Sequence, residues 1–169
     1  MRARYRWLVS LRIRPATVED AAAIATAHMT CWKESYTGLL SPGFFDSRTA
    51  EWATGWWTPR LADLPADELV NVAEHDGRIV GFAGSGPSRD EQPARELELY
   101  FIYVLARVYG TGAGQRLLDA TIGDEPASLW VVKENPRALK FYRRNGFEPD
   151  GAEKIESRWE NLEEIRLVR

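Results

Sequence analysis

Two glutamates and a tyrosine stand out in this chain as groups that could move protons. The run Glu96-Leu97-Glu98-Leu99-Tyr100-Phe101-Ile102-Tyr103-Val104 reads as a strand whose alternation puts Glu96, Glu98, Tyr100, Ile102 and Val104 on one face. Carboxylates on an otherwise apolar face are seldom buried without partners. A carboxylate with an ordinary pKa of about 4.3 makes a poor base near neutral pH, and burial beside a second carboxylate would lift it. The plainer reading is a solvated strand edge carrying two surface glutamates. Tyr142 lies in Asn135-Pro136-Arg137-Ala138-Leu139-Lys140-Phe141-Tyr142-Arg143-Arg144-Asn145-Gly146-Phe147. That segment has the marks of a short helix: Asn135 as N-cap, Pro136 at the first position and Gly146 past the end. Asn135, Ala138 and Tyr142 then share one stripe, an odd packing face but a suitable groove wall with a phenol as terminal acid. Phe141 falls about 100° round the helix and is expected to point into the core.

These groups need something to act on. Tyr109-Gly110-Thr111-Gly112-Ala113-Gly114 follows the same strand and opens into Gln115-Arg116-Leu117-Leu118, an amphipathic helix start. Glycines between a strand and a helix leave backbone N–H groups uncovered at the positive end of the helix dipole, where an anionic phosphate binds well. A lone string of this kind is weak evidence, because glycines also mark ordinary turns. The second segment at a plausible distance strengthens it.

Together the two segments resemble the GCN5-related N-acetyltransferase (GNAT) superfamily. Its later segment typically reads N-x-x-A-x-x-F-Y-x-x-x-G-F, and Asn135 to Phe147 matches every fixed position. Its cofactor segment is a strand followed by Q/R-x-x-G-x-G/A. Aligning Leu117-Leu118 with the usual leucine pair puts Gly112 and Gly114 on the family glycines and Tyr109 where Gln or Arg is usual. The frame Arg107, Gly110, Gly112 restores the Arg and misplaces the leucines. The resemblance spans roughly Leu11 to the C-terminus and is sharpest from Glu98 to Phe147.

The resemblance implies an α/β fold with a central mixed sheet, splayed at the cofactor cleft and flanked by helices on both faces. The strand ending near Val104 would part from the one at Ser128 to Val132 and pair its free backbone with the pantetheine arm of acetyl-CoA. Residues 109 to 114 would hold the diphosphate, with Asn135, Ala138 and Tyr142 along the same cofactor. In many members a glutamate six residues before the position of Val104 is the general base, often through water, and Glu98 holds that place. The oxyanion would be held by backbone N–H near Val104, and Tyr142 would protonate the departing thiolate. Phenol and alkyl thiol have pKa values within about two units, so that transfer is not steeply uphill. The implied reaction is direct acetyl transfer to a primary amine in a ternary complex, and it calls for no metal.

Composition agrees with a small enzyme. The chain has 169 residues and a net charge of −3, against a general nucleic-acid binder, which would show a basic stripe. Cys31 is alone, so no internal disulfide forms and a reducing cytoplasm is the natural setting. It sits among helical apolar positions, as a core residue would. Residues 1–10 are arginine-rich around Trp7-Leu8-Val9, too short for a signal-peptide core, and read as an extension of uncertain role before a single domain, 11–169. No stretch approaches the roughly 20 apolar residues that cross a bilayer.

The remaining elements follow from pattern. Leu11 to Arg14 is a short strand stopped by Pro15, and Thr17-Val18-Glu19-Asp20 resembles a capping box. The next helix buries Ala21, Ile24, His28, Cys31 or Trp32, and Ser35 or Tyr36 on one side, with His28 a packed or half-exposed helix residue and not a base. A second helical region runs from about Phe44 to Trp57. Leu69 to Ala73 and Arg78 to Ala83 flank a His75-Asp76-Gly77 hairpin turn. Gly84 to Ala94 reads as a loop, Ser128 to Val132 as an interior strand and Leu162 to Val168 as the last strand, giving β-α-α-β-β-β-α-β-α-β-β.

The acceptor is less defined. Aromatics crowd the N-terminal half, and Trp32 and Tyr36 share a helical face that could hold a cation or an apolar group, with Glu96 nearby. Polyamine, amino acid, aminoglycoside and protein N-terminus all fit, and a homodimer is compatible. A dinucleotide oxidoreductase is disfavoured because the glycines do not read G-x-G-x-x-G. A noncatalytic acyl-CoA sensor would keep the glycine turn but need neither Glu98 nor Tyr142.

Overall fold

The computed structural model describes residues 11–169, so the leading ten, set apart above as an extension, lie outside the described residues. The chain runs β1 (Leu11–Pro15), α1 (Ala21–Tyr36), α2 (Pro42–Ser47), α3 (Ala50–Ala62), β2 (Leu69–His75), β3 (Arg78–Pro87), β4 (Leu97–Val104), α4 (Ala113–Thr121), β5 (Ala127–Val132), α5 (Pro136–Arg144), β6 (Glu148–Glu156) and β7 (Leu162–Val168). The expected second helical region is two helices. Ser41 accepts the Phe44 N–H and Thr49 accepts the Trp52 N–H, so each short helix has its own N-cap and the chain turns between them. Ahead of α1, the Asp20 carboxylate takes the Thr17 N–H at 2.8 Å.

The sheet order is β1-β2-β3-β4-β5-β7-β6, mixed and open, with only β4 and β5 parallel. Between β2 and β3, Asp76 and Gly77 both take positive φ (50° and 70°), the two-residue hairpin turn that their types favour. Gly84 to Pro87, expected in a loop, instead extends β3 and pairs with β4. Their glycines permit it: a Cβ at Gly84 would run into the Phe101 ring, and one at Gly86 into the Tyr100 hydroxyl. Small residues here let β4 aromatics lie flat across β3.

β4 carries an irregularity that overturns the simple alternation. Gly84 pairs with Phe101 while Ser85 pairs with Leu99, so Tyr100 is an extra residue. Leu99 therefore packs beside Ile102 against Leu118, whereas Phe101 and Tyr103 pack on the opposite face with Phe82. Glu98, next to Leu99, falls on the Phe101 and Tyr103 side and not with Ile102 and Val104. Glu96 precedes the strand and is exposed. The two carboxylates do not share a buried face.

Helices cover both sides. One core cluster joins α1, α2 and α3 to Val70, Val72, Phe82 and Val132; the others join α4 and α5 to the reverse side through Leu117, Leu118, Leu129 and Phe147. Cys31 is buried and free, as its helical setting implies, and burial pushes its thiol up to about 12. No helix among the described residues is long and apolar enough to cross a membrane.

Candidate functional site

β4 and β5 are paired only at Leu97–Ala127 and Glu98–Ser128. Beyond that point β5 continues against β7, and β4 from Leu99 onward has a neighbour on the β3 side alone. A V opens between them, the core of a cleft of about 1320 Å³. Leu105 donates its N–H to Val80 O at 2.9 Å, so by strand alternation the Val104 N–H points the other way, into the V.

The mouth of the V is the glycine loop. Gly112 is the N-cap of α4 at φ +90°, and Gly110 also has positive φ, so both need the freedom of glycine. Among the described residues no acceptor meets the amides of Gly110, Gly112, Gly114 or Gln115, which leaves a cluster of donors at a helix N-terminus. This is the cradle an anionic diphosphate fits. Tyr109, Gly110, Gly112, Ala113 and Gly114 line the cleft. Thr111 turns away, and its hydroxyl donates to Val108 O at 2.7 Å, bracing the loop from behind. Arg107 is exposed and outside the cleft, so the frame built on the leucine pair is the one whose residues reach it. Arg137 from α5 lies over the Tyr109 ring, 3.2 Å from its centroid, and brings a cation to the place where the family usually keeps Gln or Arg.

α5 forms the facing wall. Asn135 caps it by accepting the Ala138 N–H at 3.1 Å, and Pro136 follows at the first helical position. Asn135, Ala138 and Tyr142 all line the cleft, as their spacing requires. Phe141 is half-buried and packs against the core cluster of Leu118, Leu129 and Phe147, as expected, while its ring edge also lies beside Gly114 and steadies the loop. Gln115 ties the helices together by donating to Asp119 and Asn145, both at 2.8 Å.

Three phenols meet at the centre. Tyr36 and Tyr103 hydroxyls are 3.1 Å apart. Burial pushes Tyr36 up to about 12, and burial together with the neighbouring Tyr36 raises Tyr103 and Tyr142 well above the usual phenol value. The Tyr142 hydroxyl has no hydrogen-bond partner among the described residues and keeps its proton at neutral pH. Glu98 is buried, and its partner is a guanidinium: Arg89 gives it a backbone N–H at 2.8 Å and its Nη2 at 2.7 Å. Arg89 itself is 61% exposed.

The far half of the cleft adds Trp159 and Glu164, which sequence reasoning did not place at a site. His28 lines it, accepting from Trp57 Nε1 at 3.1 Å, and burial pushes its imidazole down to about 4. Trp32 and Tyr36 are there as expected, joined by Trp159, which meets Trp32 edge-on at 5.0 Å. Trp159 arrives from the β6–β7 connection, which Glu160 fastens to α2 by accepting the Ser41 N–H at 2.8 Å. Glu164 from β7 is almost fully buried in this wall, and burial raises its pKa. Glu96 does not reach the cleft. The period-2 pattern of Leu162 to Val168 put Glu164 on the face of Leu162, which was the available signal.

The comparisons agree with this geometry. The model of the acetyltransferase (GNAT) domain matches residues 66–149. The chain is 39% identical over 118 residues to the 5-NmdU N-acetyltransferase of Pseudomonas phage PaMx11, covering 68% of this chain and 73% of that one. It is 29% identical over 162 residues to an uncharacterized N-acetyltransferase of Bacillus subtilis, covering 92% and 90%. In fold it is similar to PaiA N-acetyltransferase from Thermoplasma acidophilum, solved with coenzyme A, at a TM-score of 0.69 and 21% identity over 93% of this chain and 98% of that one. The chain belongs to the GNAT acetyltransferase family. It is an acyltransferase, and acetyl-CoA is the donor that this family uses.

Proposed function

We propose that this acyltransferase moves the acetyl group of acetyl-CoA to a primary amine by direct transfer while both substrates are bound. The observation that carries the reading is the V between β4 and β5, with unpartnered amides at its mouth and the Tyr142 phenol on its wall. Bound acetyl-CoA supplies a thioester carbonyl as electrophile. The amides of Gly110, Gly112 and Gly114 take the diphosphate, in the turn that Tyr109, Thr111 and Ala113 complete, and Arg137 adds positive charge. The free edge of β4 takes the pantetheine arm. Val104 N–H holds the carbonyl oxygen as charge develops on it, a contribution of about 3 kcal/mol for such preorganised donors. Asn135 fixes the start of α5 and Ala138 leaves room for the arm.

Glu98, directly or through one water, takes a proton from the acceptor ammonium. Its exposed partner Arg89 swings toward solvent to free the carboxylate. The amine lone pair then forms the new C–N bond, the C–S bond breaks as the Tyr142 proton goes to sulfur, and the second proton shed by the nitrogen, now part of an amide, restores the Tyr142 phenol. Trp32 and Tyr36 wall the acceptor, and the setting is the reducing cytoplasm that suits a lone buried Cys31. The test is thiol release from acetyl-CoA across a panel of primary amines. Amine-dependent release is expected. Binding of acetyl-CoA with no release for any amine would sink the transfer reading.

A further inference from the structure

The acceptor half of the cleft contains several carboxylates, and their partners differ. Glu34 accepts the Ala106 N–H at 2.8 Å, Asp90 accepts from Trp130 at 2.9 Å and Arg166 at 3.0 Å, and Glu98 is held by Arg89. Glu156 is gripped by Arg158, with contacts of 2.8 and 2.9 Å. Glu164 is the exception. Its side chain is 7% exposed, and its contact is a long one, Lys154 Nζ at 3.4 Å. A carboxylate withdrawn from water to that degree normally has its oxygens filled by close donors. Lys154 is partly occupied elsewhere, with its Nζ 4.2 Å from the centre of the Trp130 ring.

The surroundings of Glu164 suit one kind of visitor. Glu164, Tyr36 and Tyr142 line the same cleft. Around Tyr36 stand flat rings, Trp32 at 6.2 Å and Trp159 at 6.2 Å between centroids. Rings at this spacing present apolar faces and attract a cation that passes over them. A polyamine needs several unfilled carboxylates; here Glu98 is committed to the proton transfer above, and Glu34, Asp90 and Glu156 already hold close partners.

We propose that Glu164 anchors the ammonium group of the acceptor, and that the pocket takes a monocationic primary amine carried on a flat apolar body, an arylalkylamine in chemical class. This rests on the transfer reading above. The ammonium donates to the lone pairs that Lys154 leaves while keeping one N–H for Glu98 or its water, and the ring of the substrate packs among Trp32, Tyr36 and Trp159. Held there, the nitrogen enters the V from the side opposite the glycine loop.

Steady-state kinetics with phenethylamine and spermidine test it. The wild-type protein is expected to show kcat/KM for phenethylamine at least ~10-fold above that for spermidine. Glu164→Gln should raise the phenethylamine KM by ~10-fold or more, the scale for removing one partner of a buried charge pair, with the acetyl-CoA KM within about twofold. Lys154→Met removes the competing cation and should lower the phenethylamine KM. Neutral 2-phenylethanol, as a competitive inhibitor, should bind wild type and Glu164→Gln alike. A merely structural role for Glu164 would not move the two variants in opposite directions while sparing the neutral ligand. Phenethylamine turnover with an unchanged KM in Glu164→Gln, or a preference for spermidine, overturns this inference and leaves the transfer reading standing. Acetyl-CoA binding without turnover of either amine overturns both.

Discussion

The two halves of the cleft are built by opposite means. The cofactor half uses backbone: amides of one six-residue loop and the first turn of α4, faced by one short helix. The acceptor half uses side chains from α1, α3, β4, β6, β7 and the β3–β4 connection, arranged as charge pairs and edge-on rings. Backbone donors at a helix start recognise any diphosphate, whatever side chains surround them. Side chains drawn from distant segments would, on the proposed reading, recognise one acceptor. That reading separates a constant donor site from an adjustable acceptor site within one cavity.

Substitutions in the two halves should therefore fail differently. The largest effect is expected for Tyr142→Phe, which keeps the ring and removes the proposed acid. kcat should fall by ~100-fold or more, the usual worth of a positioned proton donor, with acetyl-CoA affinity within about twofold by calorimetry. Because burial holds the Tyr142 pKa above its ordinary value, the wild-type kcat should show no basic limb from this group below a pH of about 10. Glu98→Gln should lower kcat by ~100-fold with little change in acetyl-CoA KM, and an unaltered kcat would remove Glu98 from the proton path.

On the cofactor side, Gly112→Val forces a branched side chain into φ +90° at the cap of α4. It should cost about 1–3 kcal/mol and weaken acetyl-CoA binding before it touches the chemical step; calorimetry and the melting temperature report the two parts. Arg137→Ala should weaken acetyl-CoA a few-fold, less at high salt, since it removes a charge and no amide.

A separate effect, outside the catalytic comparison, concerns stability. His28 is neutral when folded, with its pKa held down to about 4 by burial, whereas the unfolded chain titrates near 6.5. The unfolded state binds more protons between those values, so the stability present above pH of about 6.5 is lost as pH falls toward 4. The full loss is on the order of 3 kcal/mol, and His28→Gln should flatten the melting temperature across that window.

Much of the cofactor half was legible because it is local. Asn135, Pro136 and Gly146 announce a helix by their own conformational preferences, and the Gly110–Gly114 loop announces unpaired amides. The acceptor half depends on contacts the sequence does not carry. The extra residue at Tyr100 reversed the faces of β4 and so moved Glu98 away from Ile102 and Val104. Glu98 meets Arg89 because the β3–β4 connection folds back, and that connection is fastened by Asp90 to Trp130 and Arg166, residues 40 and 76 positions away. The break between α2 and α3 was readable in Ser41 and Thr49 as caps, yet the aromatic run from Phe44 to Trp57 masked it. Periodicity shows which residues are buried; pairing across a sheet decides whom they meet.

A crystal structure with coenzyme A bound tests the central claim most directly. The account requires diphosphate oxygens within hydrogen-bond distance of the Gly110, Gly112 and Gly114 amides, the pantetheine arm along β4, and the sulfur beside the Tyr142 hydroxyl. A diphosphate held elsewhere, or a sulfur remote from Tyr142, would contradict it.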